Sequence, residues 1–77
     1  MQVAFKKLDV RPLIAKGIEP FATIRDRVDS LKKNEGLTVV APFLPSPLIE
    51  KLGSEGFQSR VEHQVVNGWT VHFWRGD

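Results

Sequence analysis

Two strand-like segments near the end of the chain are separated by the dipeptide Asn67-Gly68. They are FQSRVEHQVV at 57–66 and WTVHFW at 69–74. Both are rich in β-branched and aromatic residues, and Asn-Gly is the dipeptide most typical of a tight hairpin turn. The sequence therefore predicts an antiparallel hairpin, and any fold for this chain must contain a sheet with at least one antiparallel pair.

The register of this hairpin decides which side chains share a face. A two-residue turn would place His63 opposite His72, as in a metal-binding pair, but it would mix core and charged residues on one face. A three-residue loop over 66–68 places His63 opposite Val71 and Val61 opposite Phe73, which separates apolar from polar residues. Because one buried face normally sets the register, we favour this loop. The polar face then carries Arg60, Glu62, Gln64, Thr70, His72 and Trp74.

The favoured register directs the two histidines to opposite faces, so they cannot share a metal ion. We expect His63 at the edge of the core and His72 as a solvated residue of the sheet. The chain has no cysteine, which excludes disulfides, thiol catalysis and thiolate metal ligands. We therefore expect no metal and no cofactor.

Two helices are predicted upstream of the hairpin. The first covers 20–33, with Pro20 as its first residue and an apolar stripe at helical spacing formed by Phe21, Ile24, Val28 and Leu31. The second is a short helix within 44–56, where Ser46 is expected as the N-cap and Pro47 as the first residue.

Two further strands are predicted at 4–10 and 37–43, and the segment 11–19 is predicted to be a loop. The element order is then β-α-β-α-β-β. Because β-α-β crossovers are right-handed, both helices lie on one side of the sheet. We expect an α/β (α+β) two-layer sandwich in which a mixed four-stranded sheet carries two helices on one face, forming a single domain over 1–77.

Length and charge restrict the function further. A domain of 77 residues cannot enclose a large cavity, so a binding site must be a surface groove, a loop or a sheet face. The net charge of +2 is too small to indicate nucleic acid. No apolar run approaches the roughly 18 residues of a membrane span, so we expect a cytoplasmic protein without membrane contact.

Several short segments carry a resemblance to a known family. They are LDVR (8–11), Pro20-Phe21, PSPL (45–48) and GWTVHFWR (68–75). With the predicted element order, they resemble an uncharacterised bacterial domain-of-unknown-function branch of the TusA/SirA sulfur-carrier superfamily. The resemblance covers roughly residues 8 to 75 and implies a TusA-like fold, but it transfers no reaction.

Sulfur carriers of this superfamily have a Cys-Pro-x-Pro motif in the loop before the first helix. The matching residues here are Gly17, Ile18, Glu19 and Pro20, of which only Pro20 fits the motif. Gly17 stands where the resemblance implies the sulfur-carrying cysteine. Glycine has no side chain that could hold sulfur, so we expect no sulfur transfer.

Two groups of residues are candidates for binding. Both helix N-termini are expected at one edge of the sheet, where free N–H groups attract anions. The anion-site candidates are Arg11, Lys16, Gly17, Ile18 and Ser46. The alternative is that Ser46 and the prolines simply begin the helices.

The open face of the sheet offers the second group, Arg60, His72 and Trp74. These residues could contact a protein or stack on RNA bases. The alternative is a cross-strand Arg60–Trp74 cation–π pair. Glu19 and Glu62 are isolated carboxylates, and no residue is predicted to be catalytic.

The sequence thus favours a non-enzymatic binding module that holds a small anionic ligand or a protein partner at the helix N-termini. The first alternative is an accessory subunit or small enzyme in redox or sulfur metabolism, which would need a cofactor or a partner's cysteine. The second alternative is RNA binding through the open sheet face.

Overall fold

The structure, a computed structural model, describes residues 3–64 and 68–75. Alternating and β-branched segments form four strands, and the chain also forms three helices, of which the two longer ones have apolar residues at helical spacing. Their bounds are β1 Ala4–Asp9, α1 Arg11–Ala15, α2 Phe21–Asp29, β2 Glu35–Ala41, α3 Ser46–Ser54, β3 Phe57–Gln64 and β4 Gly68–Arg75. No helix in these two ranges is long and apolar enough to cross a membrane.

The strands form one sheet in the order β1-β2-β4-β3. β1 and β2 are parallel, whereas β4 runs antiparallel to both β2 and β3. This arrangement confirms the predicted mixed four-stranded sheet. The terminal hairpin supplies both antiparallel pairings, because β4 enters between β2 and β3.

One face of the sheet carries the helices and the core. Strand residues of one alternation pack with apolar residues of α2 and α3, and Leu13 and Ile14 of α1 pack against the same cluster. The innermost side chains belong to the two central strands; Val39, Val71 and Phe73 are each 0% exposed. The helices therefore lie on one side, as predicted, and leave the other face of the sheet uncovered.

The segment predicted as a loop at 11–19 contains the short helix α1. A proline stands in its first turn, and Gly17 follows it with a φ of +74°, a conformation that glycine adopts without strain. Five helical residues are too few for helical periodicity to appear in the sequence. Consequently α2 does not follow β1 directly, contrary to the expectation for the first helix.

The helix boundaries also differ from the predictions. Pro20 is the N-cap of α2 rather than its first residue, and the helix ends at Asp29 instead of continuing to residue 33. The Lys32-Lys33 pair lies in the following turn, which Asn34 completes with a φ of 67°. β2 consequently begins and ends two residues earlier than predicted.

The predicted cap of α3 is wrong. The N-cap residue is Pro45, and no side chain caps the helix through a hydrogen bond. Ser46 is exposed, and its N–H donates to the carbonyl of Leu44 at 2.9 Å, which closes a turn before the helix. Ser46 therefore begins the helix but does not cap it.

The hairpin has the predicted face division but a different register. Gln64 lies opposite Gly68 and Val61 opposite Val71, so the pairing is displaced by two residues from the prediction. Since side chains alternate every residue, a displacement by two leaves each one on its predicted face. The face pattern alone could not distinguish these registers, and the predicted loop at 66–68 falls largely outside the described residues.

The displaced register changes the surroundings of His63. It lies opposite Trp69, and the two rings stack with centroids 4.1 Å apart. His63 is exposed rather than at the edge of the core, because β3 is an edge strand. The two histidines do lie on opposite faces, as predicted, since Arg60 rather than His63 is opposite His72.

Candidate functional site

The uncovered face of the sheet carries a cluster of three rings. Phe5 of β1 contacts His72 with centroids 5.3 Å apart and Trp74 with centroids 6.1 Å apart, in both cases edge to face. Phe5 is 44% exposed although it is large and apolar. We call Phe5, His72 and Trp74 the aromatic cluster.

Gly36 of β2 makes room for this cluster. It pairs with Phe5 in the parallel ladder. A Cβ atom at Gly36 would lie 2.6 Å from Cε1 of Phe5 and 2.6 Å from the carbonyl oxygen of Phe73. The absent side chain therefore lets the Phe5 ring lie across β2 towards β4, a common way for an aromatic residue to cover a strand glycine.

Two hydrogen bonds orient the imidazole of His72. Nε2 lies 2.5 Å from Oε1 of Glu62, and Nδ1 lies 2.8 Å from Oγ1 of Thr38. An ionised carboxylate only accepts hydrogen bonds, so Nε2 carries the donated proton, and the Thr38 hydroxyl can donate to Nδ1 of the neutral ring. The prediction that His72 is a solvated residue is thus wrong: its side chain is 24% exposed and has partners at both nitrogens.

A groove of about 420 Å³ runs along the aromatic cluster. Its walls include Val3, Arg60 and Glu62 together with the three rings. The structure therefore brings the predicted open-face residues Arg60, His72 and Trp74 together. The predicted Arg60–Trp74 pair is absent among the described contacts, because Arg60 lies opposite His72 and Trp74 lies opposite Gln58.

Arg60 stands out among the charged groups of this groove. Within 3–64 and 68–75, its guanidinium has no hydrogen bond or ion pair, and the indole N–H of Trp74 has no acceptor. By contrast, the carboxylate of Glu62 is held by His72. The groove thus combines an apolar surface with two donors that are available to a bound molecule.

The residues predicted to bind an anion are arranged differently. The guanidinium of Arg11 is bonded to Asp9, with Nη2 at 2.7 Å from Oδ2 and Nε at 2.9 Å from Oδ1. The side-chain hydrogen bond from Arg11 lowers the pKa of Asp9. Arg11 therefore already has a carboxylate partner within its own segment.

The start of α2 is also occupied. Oε1 of Glu19 accepts the backbone N–H of Phe21 at 2.8 Å, so a carboxylate of the chain itself satisfies one of the N–H groups at this helix N-terminus. Lys16, Gly17 and Ile18 are all exposed beside it. Ser46 lies on a different helix, and no contact joins it to the other candidates in the described part of the chain. Anion binding by these five residues stays a prediction.

A second groove, of about 850 Å³, lies at the end of the sheet where β4 finishes. Val28, Leu31 and Phe57 give it an apolar floor, and Lys32, Lys33 and Arg75 give it positive charge. We call it the end groove. This groove was not predicted, because the helix predicted over 20–33 included both lysines, although the basic turn LKKN was a visible signal.

No group of three or more histidine, cysteine, aspartate or glutamate side chains within 3–64 and 68–75 could hold a metal ion. Three features of the open face can interact with a ligand or with each other. They are the Glu62–His72–Thr38 hydrogen-bond chain, the donors of Arg60 and Trp74, and the aromatic surface. The hydrogen-bond chain fixes the ring plane of His72, while the donors and rings provide contacts for a ligand.

Comparison with known proteins adds a family. The sequence profile of the family described as "Uncharacterized conserved protein (DUF2249)" matches residues 7–75. This match spans all three helices and nearly the whole sheet. No curated protein and no solved structure matches the chain significantly.

Proposed function

The chain belongs to the DUF2249 family, and we propose that it is a non-enzymatic binding module which holds a protein partner on its open sheet face. The observation that carries the proposal is the aromatic cluster beside a free guanidinium. Tryptophan and arginine are the residues most enriched in the small set that dominates binding energy at protein interfaces. Here Arg60 and Trp74 line one groove.

The shape of the groove favours a partner side chain. The groove lies on an open face and holds about 420 Å³, enough for an apolar or aromatic side chain to lie against Phe5 and Trp74. A carboxylate or backbone carbonyl of the partner would accept from Arg60. Since the hydrogen bonds to Glu62 and Thr38 already fix His72, this surface is ordered before binding, which reduces the entropy cost of association.

We also propose that the family is a TusA/SirA-like branch whose sulfur-carrying function has been lost in this chain. The helices on one sheet face support this relationship, as does the element order apart from the additional helix α1. Gly17, at the position of the motif cysteine, has no side chain and a φ of +74°. The segment next to it has Arg11 and Glu19 in internal contacts, which favours the open face over the helix N-termini as the binding surface.

The test uses affinity capture with the full chain as bait, followed by cross-linking to locate the contact. We expect that a partner retained by the wild-type chain is lost with Arg60→Ala and with Trp74→Ala. Lys16→Ala is the matched control, because Lys16 is an exposed cation outside the groove. Arg60 is exposed and without a described partner, so its replacement leaves the fold intact.

Three outcomes contradict the proposal. Retention of the partner by both groove variants would exclude the open face. Cross-links confined to Ile18 and the β2–α3 loop would place the interface at the other edge of the sheet. Salt-sensitive binding of single-stranded RNA that depends on Trp74 would replace a protein partner with RNA.

A further inference from the structure

We propose that the end groove, which adjoins the protein-binding face and shares Trp74 with it, binds a nucleoside polyphosphate. The groove holds about 850 Å³, within the range of small-molecule sites. Its lining combines two features that such a ligand requires, an apolar surface for a ring and several cations for phosphate groups. Each feature is carried by named residues.

The cations of the end groove lie beyond ion-pair distance of its two carboxylates, although Lys32 is near enough for its charge to lower the pKa of Glu35. Among the described residues, the side chains of Lys32, Lys33 and Arg75 form no ion pair. Arg75 instead lies over the ring of Phe57, 4.8 Å from its centroid. This contact holds the guanidinium at the groove wall and leaves its N–H donors available.

The two carboxylates that line the groove have other partners. Asp29 accepts from Arg25 at 2.9 Å. Glu35 lies 3.5 Å from Nζ of Lys6 and accepts the backbone N–H of Lys32 at 2.8 Å. Hydrogen bonding lowers the pKa of both groups, so both are ionised at neutral pH. Lys6 compensates Glu35, whereas Asp29 shares Arg25 with Glu55, so the groove keeps a net positive charge that is smaller than the charge of its three cations.

The carboxyl end of α2 is the remaining negative group. A helix terminus carries about half an elementary charge, and this negative charge is smaller than the positive charge that the three cations supply. Lys32 and Lys33 follow this helix end in a tight turn that Asn34 closes with a φ of 67°. Consecutive lysines in one turn place two ammonium groups beside the groove, which suits the adjacent phosphates of a polyphosphate better than a single carboxylate.

The apolar surface lies next to these cations. Val28 is 4% exposed and Phe57 is 7% exposed, so both are packed in the core and form the base of the groove. Trp74 lines both this groove and the open-face groove. Its ring offers a stacking surface, and its free indole N–H offers a donor to a nucleobase.

The experiment is a calorimetric titration of the full chain with ATP, with inorganic pyrophosphate and with adenosine. The indole N–H of Trp74 is followed by NMR in parallel. We expect ATP to bind more tightly than either fragment, to shift the Trp74 indole signal and to weaken as salt is raised. Lys32→Gln combined with Lys33→Gln should raise the Kd about tenfold or more, since the loss of even one charge-assisted contact is worth roughly a factor of ten.

Controls separate this site from the general charge of the chain. Lys51→Gln removes an exposed lysine outside the end groove and should leave the Kd unchanged. Arg75→Lys keeps the charge and should bind more tightly than Arg75→Gln. Arg60→Ala, which tests the protein-binding face, should bind ATP normally, so the two proposals fail independently.

Four results would overturn the inference. The first is that millimolar ATP gives no heat of binding and no shift of the Trp74 indole signal. The second is that pyrophosphate and ATP bind with equal affinity. The third is that the lysine variants of the groove and the Lys51 variant lose ATP affinity equally, and the fourth is that ATP affinity is unchanged when both Lys32 and Lys33 are replaced. The replaced lysines are exposed, so circular dichroism is expected to show an unchanged fold.

Discussion

Replacing Gly36 with alanine tests the close approach on which the aromatic cluster depends. The added Cβ would lie 2.6 Å from the carbonyl oxygen of Phe73, about 0.8 Å inside the 3.4 Å at which ordinary contact begins. The oxygen belongs to the backbone of the central strand β4. Relief of the clash therefore requires β2 and β4 to separate at that point, where Leu37 pairs with Phe73.

The magnitude follows from two opposing effects. Overpacking of this kind costs about 1–3 kcal/mol, whereas the loss of glycine flexibility in the unfolded chain returns about 0.4–1 kcal/mol. The expected net loss is about 1–2 kcal/mol in the free energy of unfolding. A domain of this length has roughly 4–12 kcal/mol in total, so the change is readily measured by urea denaturation.

A second glycine provides the matched control. Gly53 lies within α3, and a Cβ atom added there would have no neighbouring atom within 4 Å, so Gly53→Ala meets no obstacle. It should stabilise the chain by up to about 1 kcal/mol through helix propensity and unfolded-state entropy. Opposite signs for the same chemical change would isolate the close contact as the cause.

The Phe5 ring contributes a second clash, with Cε1 at 2.6 Å, but a side chain can turn away. In a double-mutant cycle, Phe5→Ala should reduce the effect of Gly36→Ala without abolishing it, because the backbone oxygen of Phe73 remains. If Gly36→Ala is as stable as the wild-type chain, the contact does not restrict this position and the reasoning is refuted.

Two further predictions concern polar contacts. Arg25 donates to Asp29 at 2.9 Å and to Glu55 at 2.7 Å, and these hydrogen bonds lower the pKa of both carboxyls below their ordinary values of 3.8 and 4.5. A lowered pKa gives stability that is present above those values and lost as the pH falls through the folded-state pKa. Arg25→Gln should thus be less stable than wild type at pH 7 and nearly equal at pH 2 in urea denaturation; a constant difference would contradict the linkage. Thr38→Val removes the hydroxyl partner of His72 Nδ1 and should cost about 1 kcal/mol, with a changed His72 ring signal in long-range ¹H–¹⁵N NMR spectra. An unchanged signal would exclude this hydrogen bond.

The sheet could be predicted from the sequence because its elements carry strong local signals. Asn67-Gly68 between two β-rich segments indicated the hairpin, and the β-branched run of β2 indicated a buried strand. The alternation of polar and apolar residues placed Arg60, His72 and Trp74 on one face, where the structure has them. These inferences need only the period of a strand, which the sequence displays directly.

The errors arose where several arrangements satisfy the same pattern. A hairpin register displaced by two residues leaves every side chain on the same face of the sheet. The division between apolar and polar residues therefore could not distinguish a register that pairs His63 with Val71 from one that pairs His63 with Trp69. The helix α1 is too short to show a period. The hydrogen bonds of His72 also escaped prediction, because Thr38 is 34 positions away and meets it only after the strands pair.

The aromatic cluster shows why the binding surface depends on the whole sheet rather than on one motif. Phe5 comes from the first strand and Trp74 from the last, and Gly36 on the strand between them allows the rings to meet. Because β1 is an edge strand whose contact with β4 passes across β2, a widening of the β2–β4 pair would separate Phe5 from Trp74. Gly36→Ala should therefore weaken partner binding as well as stability, whereas Arg60→Ala should weaken binding alone, and this difference distinguishes the shape of the surface from its charge.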